Sequence, residues 1–376
     1  MRHSEKGPSC ASTCAILISN AGRPLIATTA SNPMRALYRR LGAAGLPKTF
    51  VRNAILPSWW DDEAALEPAG YAHALVLLRR HTGLDLTALS DGRESLQFSP
   101  SIPCRLKTPK RKSNKGTAPA VRQHPETAPL RGLATQIAEI AGLGAPGKGS
   151  PKVPSALEIR DEILTQGKPW VDLESLLEFS WRQGIPVLHV SQLPATMKRL
   201  QGLAAFVGGR FVIVIADQHR FSSWQLFVLA HELGHIALGH HHTDRDEVVV
   251  DEVLDKNSAD GEETAANEYA LQLIAAGEKF QSAGGRWVNA SELASEAKRL
   301  ATDLHIDPGH IALNYGHNMG RFFPVALAAL NQLEPGANAP ALFREKLAAH
   351  LDWSKLPVDA SEFLMRLCGP AQTPST

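Results

Sequence analysis

Cysteine is scarce in this chain. Four residues among 376, at positions 10, 14, 104 and 368, form no Cys-x-x-Cys pair. So sparse a set excludes a disulfide framework and fits a reducing, cytoplasmic setting. An excess of charge is also missing, since 39 Lys and Arg face 38 Asp and Glu. No global field therefore draws the chain to nucleic acid or to a membrane surface. Nor is there an apolar run of the roughly 18–20 residues needed to span a bilayer. The early "CAILIS" (14–19), behind the basic "RHSEK", is too short for the core of a signal peptide.

What is present suits a soluble chain longer than one typical domain, with 44% hydrophobic residues. Residues 1–33 are rich in Ser, Thr and Ala without periodicity and read as a disordered tail. From Met34 to about residue 98 the pattern is helical, with breaks at Pro47, Pro57 and Pro68. "GYAHALVLLRRHTGLDLTAL" sets Ala72, Leu75, Leu78 and the following Leu84 near one face, which predicts a small helical domain. Its basic ends (Arg39, Arg40, Arg79, Arg80) would suit DNA, but no recognition-helix pattern stands out, and a packing or docking bundle is the plainer reading. Residues 99–153 are rich in Pro, Ser, Thr and Lys and read as a linker with a short helix at 130–144. The basic run over 105–115 is read as solvated linker, with a weak phosphate contact to DNA as the sharper alternative.

A denser domain, 154–280, begins near Pro154. "SALEIRDEIL" and "VDLESLLEFSWRQG" predict helices, and "IPVLHVS" (185–191) predicts a strand. "GLAAFVGGRFVIVIAD" predicts a hairpin turning at Gly208-Gly209. A further helix is expected from about Glu262 to Ala276, and a helical extension over 281–376.

Directly after the hairpin comes "WQLFVLAHELGHIALGHHHTDRDE" (224–247), a helix that is apolar at Phe227, Val228, Leu229, Leu233, Ile236 and Leu238. Residues four apart on a helix share a face, so His231 and His235 can present two imidazoles to one ion. Glu232 beside them can act as a general base on water. Two neutral imidazoles suit Zn²⁺. Incidental histidines would be costly there, because polar rings and a carboxylate would be buried without partners.

Two residues compete to be the third ligand. His241 matches the HExxHxxxxxH spacing, but that arrangement needs Gly three residues after the second His, where Leu238 stands, with Gly239 one place late. Glu263, in "DGEETAANEYALQLI" (260–274), would share a helix face with Ala266, Asn267 and Ala270, small enough for close approach. Asp260 and Glu263 also fit a capping pattern, and Glu262 is near enough to compete. Glu247, Asp251 and Glu252 read as a solvated acidic loop. His240 and His242 read as surface residues at the helix end, and His310, in "IDPGHIALNYGHNM", as a candidate oxyanion donor.

"FVLAHELGHIALGH" followed by "EETAANEYALQLI" resembles the ImmA/IrrE family of zinc metallopeptidases, with Tyr269 where its pattern has Phe. The preceding "GIPVLHVSQLP" and "GLAAFVGGRFVIVIAD" are similar as well, so the resemblance covers about residues 155–275. It departs at "QLIAAG", where the family has "LLMP". The resemblance implies an α+β, zincin-like core, a small mixed sheet over an active-site helix, flanked here by helical N- and C-terminal parts. It favours Glu263 over His241 as the third zinc ligand. It also implies a cytoplasmic endopeptidase whose substrate is a regulatory protein, often a helix-turn-helix repressor of a stress response or mobile element. The rival expectation is a non-proteolytic, metal-stabilised regulator that binds DNA or a protein partner through residues 34–115.

Overall fold

The computed structural model describes residues 32–91, 96, 104–107, 128–147, 152–194, 201–241, 247–251, 261–281 and 288–369. Of the tail expected over 1–33, residues 1–31 lie outside these. Asn32 and Pro33 instead start the first helix, where the Asn32 side chain accepts a hydrogen bond from the Met34 amide at 2.9 Å.

The N-terminal part contains α1 (Pro33–Ala43), α2 (Lys48–Phe50) running into a π-turn at Val51–Ile55, α3 (Pro68–Thr82) and α4 (Leu86–Ser90). β1 (Cys104–Lys107) and α5 (Ala128–Gly144) follow. The central part runs α6 (Ala156–Thr165), α7 (Leu173–Arg182), β2 (Val187–His189), β3 (Gly202–Val207), β4 (Arg210–Ile215), α8 (Ser222–Ala237), β5 (Glu247–Asp251) and α9 (Gly261–Ala275). The C-terminal part is helical: α10 (Ala290–Leu304), α11 (Pro308–Met319), α12 (Phe323–Leu333), α13 (Ala339–His350) and α14 (Val358–Cys368). None of the described helices is long and apolar enough to cross a membrane.

Local chemistry explains the main boundaries. Ser155 with Glu158, and Asp172 with Ser175, form reciprocal capping boxes at the starts of α6 and α7. The β3–β4 hairpin turns at Gly208 (φ +59°) and Gly209 (φ +80°), the left-handed conformations a two-residue turn requires. Its register pairs Val207 with Arg210 and Gly202 with Ile215.

The sheet order is β1-β5-β3-β4-β2. β3 is antiparallel to both β4 and β5, whereas β1–β5 and β4–β2 are parallel, so the sheet is mixed as expected. Side chains alternate between its faces. Ala204, Phe206, Phe211, Ile213 and Ile215 join a core with α6, α7, α8 and α9. Leu203, Ala205, Val207, Val212 and Val214 face the other way, into a core with α1, α3, α5 and α14. Both faces are covered, which is why "FVIVI" is continuously apolar instead of alternating.

The architecture is therefore a mixed α–β fold in which the helices of residues 33–90 and α5 share one core with the back of the sheet. That core crosses the boundaries expected at 98 and 153. The helix expected within the linker is one of its main components, with Leu133, Ile137, Ala138 and Ala141 nearly inaccessible. N- and C-terminal parts also meet directly. Arg80 pairs with Asp359 at 2.6 Å, and the Arg366 guanidinium donates to the Leu56 carbonyl.

Two strands were not expected. β1 lies in the segment read as linker, and β5 in the segment read as a solvated acidic loop. Each is held by main-chain pairing with a neighbour; β5 also carries three consecutive valines, a strand signal that its acidic flanks obscured. Of the basic run over 105–115, read as solvated linker with a weak phosphate contact to DNA as the alternative, Arg105 and Lys107 fall in β1, and residues 108–115 lie outside the described residues.

Candidate metal centre

α8 is buried nearly all round, as its apolar residues demand, so the polar groups it carries need specific partners. Its first turn is held by an anion: the Glu334 carboxylate accepts from the Ser222 and Ser223 amides at 2.6 and 3.1 Å. Gly239 (φ +70°) ends the helix. The His240 amide donates back to the His235 carbonyl at 3.0 Å and the Gly239 amide to Ile236 at 3.1 Å, the Schellman pattern of a glycine stop.

α9 packs across α8 where Gly234 faces Ala266. A Cβ on Gly234 would stand 3.1 Å from the Ala266 carbonyl oxygen and 3.2 Å from both the Ala266 Cα and the Tyr269 Cβ. Any side chain there would have to push α9 back by a few tenths of an ångström, so glycine favours the close approach that brings Glu263, in the first turn of α9, over the two histidines. The Tyr269 hydroxyl donates to the Pro154 carbonyl at 2.8 Å, and Arg160 donates to the carbonyls of Ile274 (2.7 Å) and His305 (2.8 Å). These bonds tie α9 to the elements before and after it.

His231, His235 and Glu263 thus converge, all buried, with one ligand atom from each lying within 4.8 Å of the others. The two Nε2 atoms are 3.0 Å apart, and each lies 3.4 Å from a Glu263 carboxylate oxygen. Ligand atoms about 2.0–2.1 Å from a tetrahedral centre are about 3.4 Å from one another, so the three side chains lie close enough together to share one ion. The triad could hold a metal ion. The chemistry of the set agrees, since two imidazole lone pairs and a carboxylate in one buried space favour a cation between them.

Both rings are oriented from behind. His231 Nδ1 donates to the Asn267 side-chain oxygen at 3.1 Å, leaving Nε2 as the lone-pair atom. His235 Nδ1 meets His240 Nδ1 at 2.7 Å, because the glycine stop folds the chain back on the last turn. His240 is therefore half-buried support for a ligand, where the sequence suggested a surface residue. The same turn sends His241 elsewhere. Its ring packs edge-on against Phe211 at 5.6 Å and does not belong to the cluster. Glu262 is more exposed than Glu263 and is likewise outside it, and Asp260, its suggested capping partner, lies outside the described residues.

Glu232 is 1% exposed and does not belong to the cluster. It lies against the start of β3, where a Cβ on Gly202 would come within 2.4 Å of its Oε1. Gly202 had no signal in the sequence beyond its place at the head of a strand. Asn267 did have one, four residues after Glu263 on the same helix face.

His310 lies on α11, its ring against Phe227 at 6.1 Å between centroids. Phe227 is one turn before His231 on the same face of α8. Neither His310 ring nitrogen has a hydrogen-bond partner among the described residues, and burial lowers the ring to about 4. Nearby, Asp307 caps α11 by accepting from the His310 amide at 2.8 Å and also accepts from the Ser223 hydroxyl at 2.7 Å. Burial pushes its carboxyl up to about 6.

These two groups should give opposite pH slopes. The His310 ring is lowered from its ordinary 6.5, so the stability it preserves is complete above pH 6.5 and is lost as pH falls toward 4. Asp307 is raised from 3.8, so its contribution is complete below that value and is lost as pH rises through 6. In urea titrations, His310→Phe should gain on wild type by about 2 kcal/mol at pH 5 relative to pH 7.5. Asp307→Asn should gain in the opposite direction, toward pH 7.5. Parallel pH profiles for wild type and His310→Phe would show that the ring is not held neutral.

A cavity of about 530 Å³ lined by Phe50, Asn53, Gln192 and Arg366 shares no lining residue with the metal centre. Comparison of the chain with protein-family models, with curated proteins and with solved structures gives no match.

Proposed function

We propose that the chain is a zinc-dependent endopeptidase with a zincin-like core, as its resemblance to the ImmA/IrrE family implies. The observation that carries this reading is the division of labour on α8. Two histidines and Glu263 form the buried triad, while Glu232, beside them, is left out of it. A site that only stabilised the fold would have no use for Glu232.

Zinc held by such a triad acts as a Lewis acid, polarising a carbonyl and lowering the pKa of water to about 7. Glu232 accepts the proton of the attacking water as its oxygen bonds to the scissile carbonyl carbon. As the C–N bond breaks, Glu232 returns that proton to the leaving amine nitrogen. His310, held neutral by burial and stacked on Phe227, which is one helical turn before His231, is assigned to donate an N–H to the developing oxyanion. The substrate class is a regulatory protein, with a DNA-binding repressor as the candidate taken from the resemblance, and the setting is cytoplasmic. The rival reading, a non-proteolytic, metal-stabilised regulator that binds DNA or a protein partner through residues 34–115, assigns no role to Glu232.

Elemental analysis of the purified protein should find one zinc per chain. Glu263→Ala should lose it and His241→Ala should keep it. The ligand assignment fails if Glu263→Ala keeps full stoichiometry while His241→Ala does not.

A further inference from the structure

The strand next to the general base already has a main-chain partner on each side. Gly202 opens β3 against the Glu232 carboxylate, and β4 bonds one edge of β3. The other edge is the place where an extended substrate would add a strand within reach of Glu232. In this structure β5 lies there, antiparallel, with five residues in register from Phe206–Glu247 to Gly202–Asp251. β1 is laid in turn along β5, from Cys104–Val248 to Lys107–Asp251. Among the described residues, the first open main-chain edge on that side is therefore two strand spacings from β3, about 10 Å. The far edge of the sheet, on β2, is separated from β3 by β4.

β5 is also strung between two ligands. It follows α8, which carries His235, and precedes α9, which carries Glu263. Its sequence, Glu-Val-Val-Val-Asp, has the β-branched core that favours an extended chain.

We propose that residues 247–251 are an internal occupant of the peptide-binding edge. The main-chain groups of β3 beside Glu232 are the docking surface for an extended, antiparallel polypeptide segment, and β5 holds that surface until it is displaced. This rests on the peptidase reading and adds a substrate class: unfolded or locally extended segments rich in β-branched residues, which can make the ladder that β5 makes. A folded helix has its main-chain donors bonded within itself beyond the first turn and would not compete.

The test measures binding apart from turnover. Full-length protein carrying Glu232→Gln and loaded with zinc is titrated against fluorescent Glu-Val-Val-Val-Asp amide, read by anisotropy. Adding Val249→Pro removes a ladder donor from β5 and should tighten peptide binding at least tenfold. In a second variant Ala204→Cys and Val249→Cys, which are register partners, are oxidised to lock β5 onto β3. The locked form should lose peptide binding and dithiothreitol should restore it. If Val249→Pro binds no tighter, or the locked form binds as well as the reduced one, β5 does not occupy the docking edge. The peptidase reading is scored separately, on chains with Glu232 intact. Peptide binding relieved by Val249→Pro with no turnover of any protein would remove that reading and leave the strand's role standing. Equal turnover by locked and reduced chains would do the reverse.

Discussion

Replacing Glu232 by Gln should lower turnover of whichever protein the wild-type chain cleaves by roughly 10²–10⁴-fold, while zinc content and thermal midpoint stay unchanged. The amide has the size and shape of the carboxyl and can fill the same buried space against β3. It cannot accept the proton of water at neutral pH. Glu232 does not belong to the triad, so its loss should leave the metal in place. Gly202→Ala should impair the same group from the other side, since the added Cβ would meet Oε1 at 2.4 Å and the carboxyl would have to turn away. Both variants should therefore retain zinc and lose rate. Wild-type turnover by the Gln chain would remove Glu232 as the base, and loss of zinc from it would place Glu232 among the ligands.

The metal centre was legible where its geometry is local. His231 and His235 are one helical turn apart, and that spacing alone places them on one face. Glu263 needed more than spacing, because the helix that carries it approaches only through Gly234 and Ala266. The choice against His241 turns on one residue. With Gly at 239 and not at 238, the stop comes one position later, and it is His240 that folds back on His235. The sequence shows that displacement, but the backing role it creates for His240 depends on the path of the turn.

The fold was legible in its elements and less so in its grouping. The hairpin, α8 and α9 fall where apolar patterning and the Gly208-Gly209 turn put them. Proline, lysine and serine over 99–153 suggested that the chain divides there, yet α5 within that segment and the parts on both sides of it contribute to one core. The clue was "FVIVI" itself. A strand that is apolar at every position is buried on both faces, and α8 with its neighbours could cover only one. The helices of residues 33–90, with α5 and α14, supply the second cover. β1 was missed because a four-residue strand is specified mainly by the partner it bonds, and β5 because the acidic residues around Val248, Val249 and Val250 read as a solvated loop.

The contact between α8 and α9 yields the other large effect. Gly234→Val should lower zinc affinity about 10–100-fold, the range seen when the support of a ligand is lost. It should also cost about 1–3 kcal/mol of stability through overpacking. The backbone of Ala266 and the Cβ of Tyr269 would already crowd a single Cβ at 3.1–3.2 Å, and valine adds two methyl groups beyond it. α9 must then move away from α8, taking Glu263 from the histidines and Asn267 from the His231 ring. Gly277→Ala, just past the end of α9, is the control. Gly277 has φ +84° with nothing near its missing Cβ, so alanine there should cost about 1 kcal/mol of backbone strain and leave the helix contact alone. Zinc competition titrations should separate the two variants, with Gly277→Ala binding as wild type does. Equal zinc affinity in Gly234→Val and wild type would mean that the α8–α9 approach does not position Glu263, and the third ligand would have to be sought elsewhere.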